Sequence, residues 1–355
     1  MPQLTHTEDA DAPAVDVPEV GEDGRWVGTD SWAATATASK IPGMLGLNKP
    51  GWDQRKATWL KMQHARKFPR KSNSSQKRGN FLEAAFFAMW FEQNPDWEPI
   101  SDGEITFTRD DLGFPAAATP DYRAKNRVTG EELNLEGKTL GGNGDREAWG
   151  EPGTDQVPLY YLIQVYWQMI VSGDRRAFVV RYGPFIDDLH TYVIVYDEAI
   201  AAKILAGVTA FMQSLADDVE PENDGLESSY KAMQRVYTDT ALLKADEDWE
   251  VSLDFAIDFT TRLLSFDLAE AELFRGRADA LKIAGKAKRL VVKLPPEIGK
   301  SGKPLKAKNL IIASRQIKGG TASIVRPKTP VTLEKLRELQ ALRDAAEAQE
   351  QEAAA

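Results

Sequence analysis

The chain has 355 residues, 42% of them apolar, a formal charge of −10 and no cysteine. That length allows one sizeable core or two smaller ones, and the missing cysteine excludes disulfides, zinc–thiolate sites and iron–sulfur clusters, so a metal would have only oxygen or imidazole ligands. No apolar run of about 20 residues stands out and the N-terminus is polar and acidic, which predicts a globular protein of the cytoplasm with no membrane partner.

The charge is segregated. Residues 1–24 hold seven acids and no base, residues 331–355 hold six acids and three bases, and 25–330 is therefore neutral. Inside it, 54–78 carries nine Lys or Arg and no acid, and 280–309 carries nine against the single acid Glu297. Each basic run is either an ordinary solvated surface or, if the two flank a cleft, a phosphate track whose binding weakens steeply with salt. The acidic ends read as solubilising tails that can compete with phosphate for a basic face.

In chain order, 1–24 lacks hydrophobic periodicity and is expected to be disordered. Ser39, Lys40 and Ile41, leading into Met44, Leu45, Gly46 and Leu47, predict a short helix over 31–47, and a second helix starts near Asp53. After a polar loop at 71–76, Ser74 or Ser75 caps a helix over about 76–93. On it, Phe86, Phe87 and Trp90 follow Glu83 by three, four and seven residues, so the carboxylate shares a face with three aromatics and that face is buried. Strands at 104–108, 116–123 and 133–139 read as a β-meander. Glycines at 141–144 and Gly153 mark a long mobile loop, then come an apolar helix over 158–172, strands at 176–182 and 190–196, and a helix over 197–216.

That order is an α/β core, a mixed sheet flanked by helices. Past an acidic break at 217–225, helices near 226–245 and 250–285, strands at 289–294 and 308–315 and a helix-prone stretch after Pro330 make a mainly helical C-terminal extension. The expected domains are a tail (1–24), a core (25–216), an extension (217–330) and an acidic tail, helical or disordered (331–355).

The chemistry lies in Thr119-Pro120-Asp121 on one strand and Glu136-Gly137-Lys138 on the next. Strand side chains alternate, so Glu136 and Lys138 share a face, and the adjoining strand can bring Asp121 beside them. Two carboxylates and the Gly137 carbonyl make a half-shell for a hard cation such as Mg2+, and such an ion can polarise a phosphodiester. Lys138 would orient the attacking water and stabilise developing charge. Taken in isolation, an Asp and E-x-K make a short, common pattern that reads first as a cross-strand salt bridge on a solvated face.

Context changes that balance. From 39 to 182 the chain resembles the YqaJ-type viral recombinases, relatives of phage lambda exonuclease within the PD-(D/E)xK nuclease superfamily. Five blocks occur in order: Ala38-Ser39-Lys40-Ile41 with Leu45-Gly46-Leu47; Arg78-Gly79 with Leu82-Glu83; Thr119-Pro120-Asp121; Leu135-Glu136-Gly137-Lys138; and Tyr160-Tyr161 with Gln164 and Gln168. The resemblance implies the PD-(D/E)xK nuclease core and exonucleolytic 5′ to 3′ digestion from double-stranded DNA ends with Mg2+, or Mn2+ as a substitute. It also implies a homo-oligomer, a ring-shaped trimer or tetramer, working with a single-strand annealing protein in a bacterial or phage-infected cytoplasm.

By position, the resemblance makes Asp121 and Glu136 metal ligands with the Gly137 carbonyl, and Lys138 the catalytic amine. Glu83 reaches the metal directly or through water, and Gln164 contacts its water or the scissile phosphate. Ser39, Thr119, Arg78 and Gln168 would lie on phosphate or DNA. Blander roles remain open: Glu83 paired with a base, Gln168 in a packed polar pair, Ser39 and Thr119 as a helix cap and a strand hydroxyl. Three departures stand out. Gly137 replaces a bulky apolar residue, Tyr122 a small one, and Trp32 stands where an arginine that clamps a terminal phosphate is expected, leaving Arg25, Lys40 or Arg123 as substitutes. A non-catalytic DNA-binding recombination protein and an endonuclease on the same fold are the competing readings.

Overall fold

The structure is a computed structural model that describes residues 29–69, 74–100, 105–140, 148–185, 187–237, 250–285, 287–296, 309–318, 321–327 and 331–354. The expected disordered segment 1–24, Arg25, the glycines at 141–144 and residues 286 and 297–308 of the second basic run lie outside the described residues. Two compact units divide at Ala245/Asp246, further along than the sequence break at 216/217.

The first unit opens with α1 (Asp30–Ala34), β1 (Ala36–Thr37), a 3-10 turn (Ala38–Lys40), α2 (Ile41–Met44) and α3 (Arg55–Gln63). The expected single helix over 31–47 is thus broken. Ala36 and Thr37 pair with a distant strand, and Pro42 sits in the first turn of α2, where its missing N–H is harmless but from which the helix cannot extend backwards.

Next come α4 (Ser74–Gln93), β2 (Trp97–Pro99), β3 (Phe107–Arg109), β4 (Ala116–Ala118), β5 (Tyr122–Asn126), β6 (Glu132–Thr139), α5 (Leu159–Ser172), β7 (Arg176–Tyr182), β8 (Leu189–Val195), α6 (Glu198–Ala216) and α7 (Glu227–Tyr237). A five-stranded mixed sheet runs in the order β2-β5-β6-β7-β8, and a small sheet in the order β1-β4-β3. The meander does not form, and the expected strand over 116–123 is two strands in two sheets. Proline has no amide to donate to a ladder, and Pro120 stands where the break falls, so Asp121 sits in a bend rather than within a strand.

The crossover through α5 makes β6 and β7 parallel, whereas β6 pairs antiparallel with β5. One face of the sheet packs Leu133 and Leu135 against Phe86, Phe87 and Trp90 of α4. The other meets α5, whose Val165, Trp167 and Met169 are fully buried or nearly so. Helix α6 is long and apolar enough to cross a membrane, a stretch the sequence reading missed, yet its Ala201, Ile204, Val208 and Phe211 belong to the core.

The second unit consists of α8 (Leu253–Ala284), the antiparallel sheet β9 (Arg289–Lys293), β10 (Asn309–Lys318) and β11 (Thr321–Val325), and α9 (Leu333–Ala354). Ser252 caps α8 by accepting the Phe255 amide at 3.2 Å, and Ala284, Ala313 and Ile324 form its small core. Strand β11 has no counterpart in the sequence reading.

Candidate active site

Alternation along β6 divides its side chains. Leu133 and Leu135 face α4, while Asn134 and Glu136 face α5, where Ser172 Oγ accepts from Asn134 Nδ2 at 3.0 Å. Gly137 belongs to the α4 side, and a Cβ there would lie 2.5 Å from Phe86 Cζ and 2.9 Å from Phe87 Cε2. That contact explains why no bulky residue stands inside E-x-K: the two rings fill the space. Tyr122 joins the same aromatic layer, 4.4 Å from Phe87 between ring centroids, which accounts for the second departure.

Glu136 is 2% exposed and surrounded by donors. Lys138 Nζ and Gln164 Nε2, the latter at 2.6 Å, donate to its Oε1, and Gln168 Nε2 donates to Oε2 at 2.5 Å. A buried carboxylate is tolerable only with such partners. Gln164 and Gln168, one helical turn apart, therefore do share a face of α5. Expected on DNA, Gln168 is instead fully buried and holds Glu136 in position; among the described residues its Oε1 has no hydrogen-bond partner.

Asp121, in the bend before β5, accepts the Gly137 amide through Oδ2 at 2.6 Å. Burial first, then Glu136, then Glu83 push its carboxyl well above the usual range, against the opposing pull of Lys138 and the Gly137 amide. Burial disfavours the Lys138 ammonium, but Glu136 and Asp121 outweigh it and raise the group above an ordinary lysine. That direction favours the protonated amine, which donates a hydrogen bond to Glu136. Glu83, reaching from α4, also raises the Tyr122 hydroxyl, after burial.

Asp121, Glu136, Lys138, Glu83 and Gln164 are therefore brought together. The parallel register pairs Thr37 with Ala117; Thr119 lies two residues beyond that pair, next to Pro120 and Asp121, whereas Ser39 lies in the 3-10 turn after β1. Thr119 Oγ1 lies 2.9 Å from Thr106 Oγ1, and Ser39 is exposed. Arg78 is exposed and makes a long 3.4 Å contact to the Leu140 carbonyl.

Two of the substitutes for the phosphate clamp are engaged elsewhere. Arg123 binds Asp174 in bidentate fashion at 2.7 and 3.1 Å, and Lys40 is buried, donating to the Trp32 carbonyl at 2.5 Å and to that of Thr35. Much of the first basic run is likewise occupied. Lys56 pairs with Glu220 at 2.5 Å, Lys61 with Asp53 at 2.5 Å and Arg66 with Asp30 at 2.6 Å, while Arg55 donates to the Met44 carbonyl at 3.1 Å. Of these partners, Glu220 and Asp30 lie far from Lys56 and Arg66 in the chain, where local spacing gives no sign of them.

Among the described residues no three His, Cys, Asp or Glu side chains form a ready-made metal-binding group. The donor chemistry nonetheless fits a hard divalent cation. Glu136 and Glu83 both act on Asp121, opposed by the Lys138 ammonium, and carboxylates crowded in this way favour a cation with oxygen ligands.

Residues 31–175, less than half of the chain, match the family model of the YqaJ-like viral recombinase domain. No curated protein matches significantly. Among solved structures, an alkaline exonuclease from Laribacter hongkongensis is 20% identical, with 54% of this chain and 95% of that one covered and a TM-score of 0.40. A phage-related exonuclease from Haemophilus somnus is 14% identical, with 52% and 94% covered and a TM-score of 0.39. Both likenesses are in outline only.

Proposed function

We propose that the first unit is a divalent-cation-dependent deoxyribonuclease of a phage-type recombination system, digesting one strand of double-stranded DNA from its 5′ end. The observation that carries the reading is the buried Glu136 carboxylate, met by Lys138 and Gln164 and faced by Asp121. The YqaJ-like domain over 31–175 supports it.

Asp121, Glu136 and the Gly137 carbonyl would hold the cation, Mg2+ in the first instance or Mn2+, with Glu83 at its edge. When bound, such an ion supplies polarisation of the phosphodiester and a lowered pKa for water. Lys138 keeps its proton and directs it at oxygen that gains negative charge, the electrostatic role of a fixed donor in a site shielded from water. Gln164 offers amide hydrogens to a water or phosphate oxygen, and Gln168 fixes the Glu136 carboxylate from behind. The Gly137 amide keeps Asp121 turned toward Glu136. Ser39, Thr119 and Arg78 would receive phosphate oxygens of the DNA. A ring-shaped oligomer and a single-strand annealing partner complete the proposal.

The test uses duplex DNA labelled separately at each 5′ and 3′ end, with Mg2+, Mn2+ or EDTA. Mononucleotide release from 5′-labelled ends that stops in EDTA is the expected result. Internal fragments would favour an endonuclease, and end binding without cleavage in any metal would favour a non-catalytic DNA-binding protein.

A further inference from the structure

A line of aromatic rings leads from Lys138 to the surface. The ammonium lies 5.0 Å from the Tyr161 ring centroid, Tyr161 meets Tyr160 edge-on at 4.4 Å, and Tyr160 meets Trp52 at 5.8 Å. Trp52 is 48% exposed, with Lys49 Nζ 5.7 Å from its ring.

The loop that presents Trp52 is built to hold still. In Lys49-Pro50-Gly51-Trp52 the Trp52 amide donates to the Lys49 carbonyl at 2.9 Å and Gly51 has φ of +85°, the pattern of a type II turn with proline and glycine at its two centres. Asn48 and Gln54 brace its base: the Asn48 amide donates to Gln54 Oε1 at 3.1 Å, Gln54 Nε2 returns to the Asn48 carbonyl at 3.0 Å, and Asn48 Nδ2 reaches the Asp53 carbonyl at 3.1 Å. A half-exposed indole on a braced turn is pre-organised for a planar partner. Every base has a face that stacks on an aromatic ring, and a nearby cation suits the strand that carries it.

We infer that Trp52, backed by Tyr160 and flanked by Lys49, is a stacking platform for unpaired bases of the DNA strand that leads to Lys138. This rests on the nuclease reading for its substrate. At about 3.4 Å per stacked nucleotide, the ring line reaches no more than a few nucleotides from Lys138. Bases at that distance are unpaired when the duplex end has opened or when the DNA carries a short overhang. The platform is therefore indifferent to base identity and sensitive to whether a base is present.

The test measures equilibrium binding of the full chain, in EDTA, to a fluorescent duplex with a four-nucleotide single-stranded end and to the same duplex with abasic sites in that end. Wild type, Trp52→Ala and Trp52→Phe are compared, with thermal midpoints checked for each. Trp52→Ala should bind the overhang duplex about 5- to 100-fold more weakly, the range of one lost base–aromatic stack, and Trp52→Phe should lose much less. Abasic DNA should weaken wild type by a similar factor and Trp52→Ala hardly further. Binding by Trp52→Ala within twofold of wild type, or equal losses from Trp52→Ala on abasic and normal DNA, overturns the inference. If wild type cleaves DNA but binding ignores Trp52, only the platform falls. If binding follows Trp52 while no metal supports cleavage, the platform stands and the nuclease reading falls.

Discussion

Gly137 offers a direct test of how α4 and the central sheet are fitted together. A methyl group added there would lie 2.5 Å from Phe86 Cζ and 2.9 Å from Cε2 of both Phe86 and Phe87, distances no real Cβ tolerates. Phe86 and Phe87 are 2% and 0% exposed and their ring centroids are 4.7 Å apart, so neither ring has open space to enter. Overpacking of this kind costs about 1–3 kcal/mol. Phe86→Ala removes the nearer ring and leaves a cavity, a loss of about 3–5 kcal/mol. In that background the clash with Phe86 is gone and the Phe87 ring can shift by a few tenths of an ångström into the vacated space, so Gly137→Ala should cost about 1 kcal/mol less than in wild type, and the double-mutant cycle should show coupling of about 1–2 kcal/mol. Urea unfolding of the full chain in EDTA, followed by aromatic circular dichroism and fitted to the transition of the first unit, measures all four corners. A neutral Gly137→Ala, or strict additivity, would refute the packing argument and with it the account of why glycine stands inside E-x-K.

Three further outcomes are expected. A buried acid whose folded pKa is raised stabilises the fold below its unfolded pKa and loses that contribution as pH rises through the folded value; Asp121 is such a group. In EDTA at neutral pH Asp121→Asn should therefore be more stable than wild type in thermal melts while cleaving poorly, and destabilisation would contradict the electrostatics. Lys138→Met keeps the aliphatic stem and deletes the charge. It should abolish single-turnover cleavage in Mg2+ while leaving end binding in Ca2+ nearly intact, and cleavage within about tenfold of wild type, or about 1.4 kcal/mol of barrier, removes its proposed role. Burial lowers the Lys40 amine to about 7. The unfolded chain then holds a proton that the fold has released, so stability should rise with pH from about 7 to about 10.5, by about 1.4 kcal/mol per unit. Lys40→Met should flatten that slope, and an unchanged slope in urea titrations would rule the group out.

The helices α4 and α5 and strands β6 and β7 were legible because their apolar periodicity is long and regular. Asp121, Glu136 and Lys138 were legible together because side chains alternate along neighbouring strands, whereas Glu83 and Gln164 joined them only through the family resemblance. What periodicity could not convey was pairing between distant segments. Ala36 and Thr37 are strand only because Ala116 and Ala117 lie beside them, and nothing local marks them. The same blindness hid the partners of the basic run, since Lys56 meets Glu220 and Lys67 meets the Val236 carbonyl across more than 160 positions. Gln168 read as a DNA contact because its spacing from Gln164 fixes a face of α5 but not how deeply that face is buried.

The parallel pairing of β6 and β7 also dictates an order of events. Strands β5 and β6 form a local hairpin, which closes in about 1–10 μs, so Asp121 and Glu136 can meet as soon as that hairpin exists. Gln164 and Gln168 come 28 and 32 residues after Glu136 and arrive only when the crossover has closed, a slower, non-local step. On a ribosome the hairpin emerges before the helix that anchors Glu136, so the nascent chain holds an unanchored carboxylate pair and becomes competent only after α5 and β7 have docked. Pulse-labelled amide exchange during refolding should accordingly protect the β5–β6 amides before those pairing β6 with β7, and simultaneous protection would exclude this sequence.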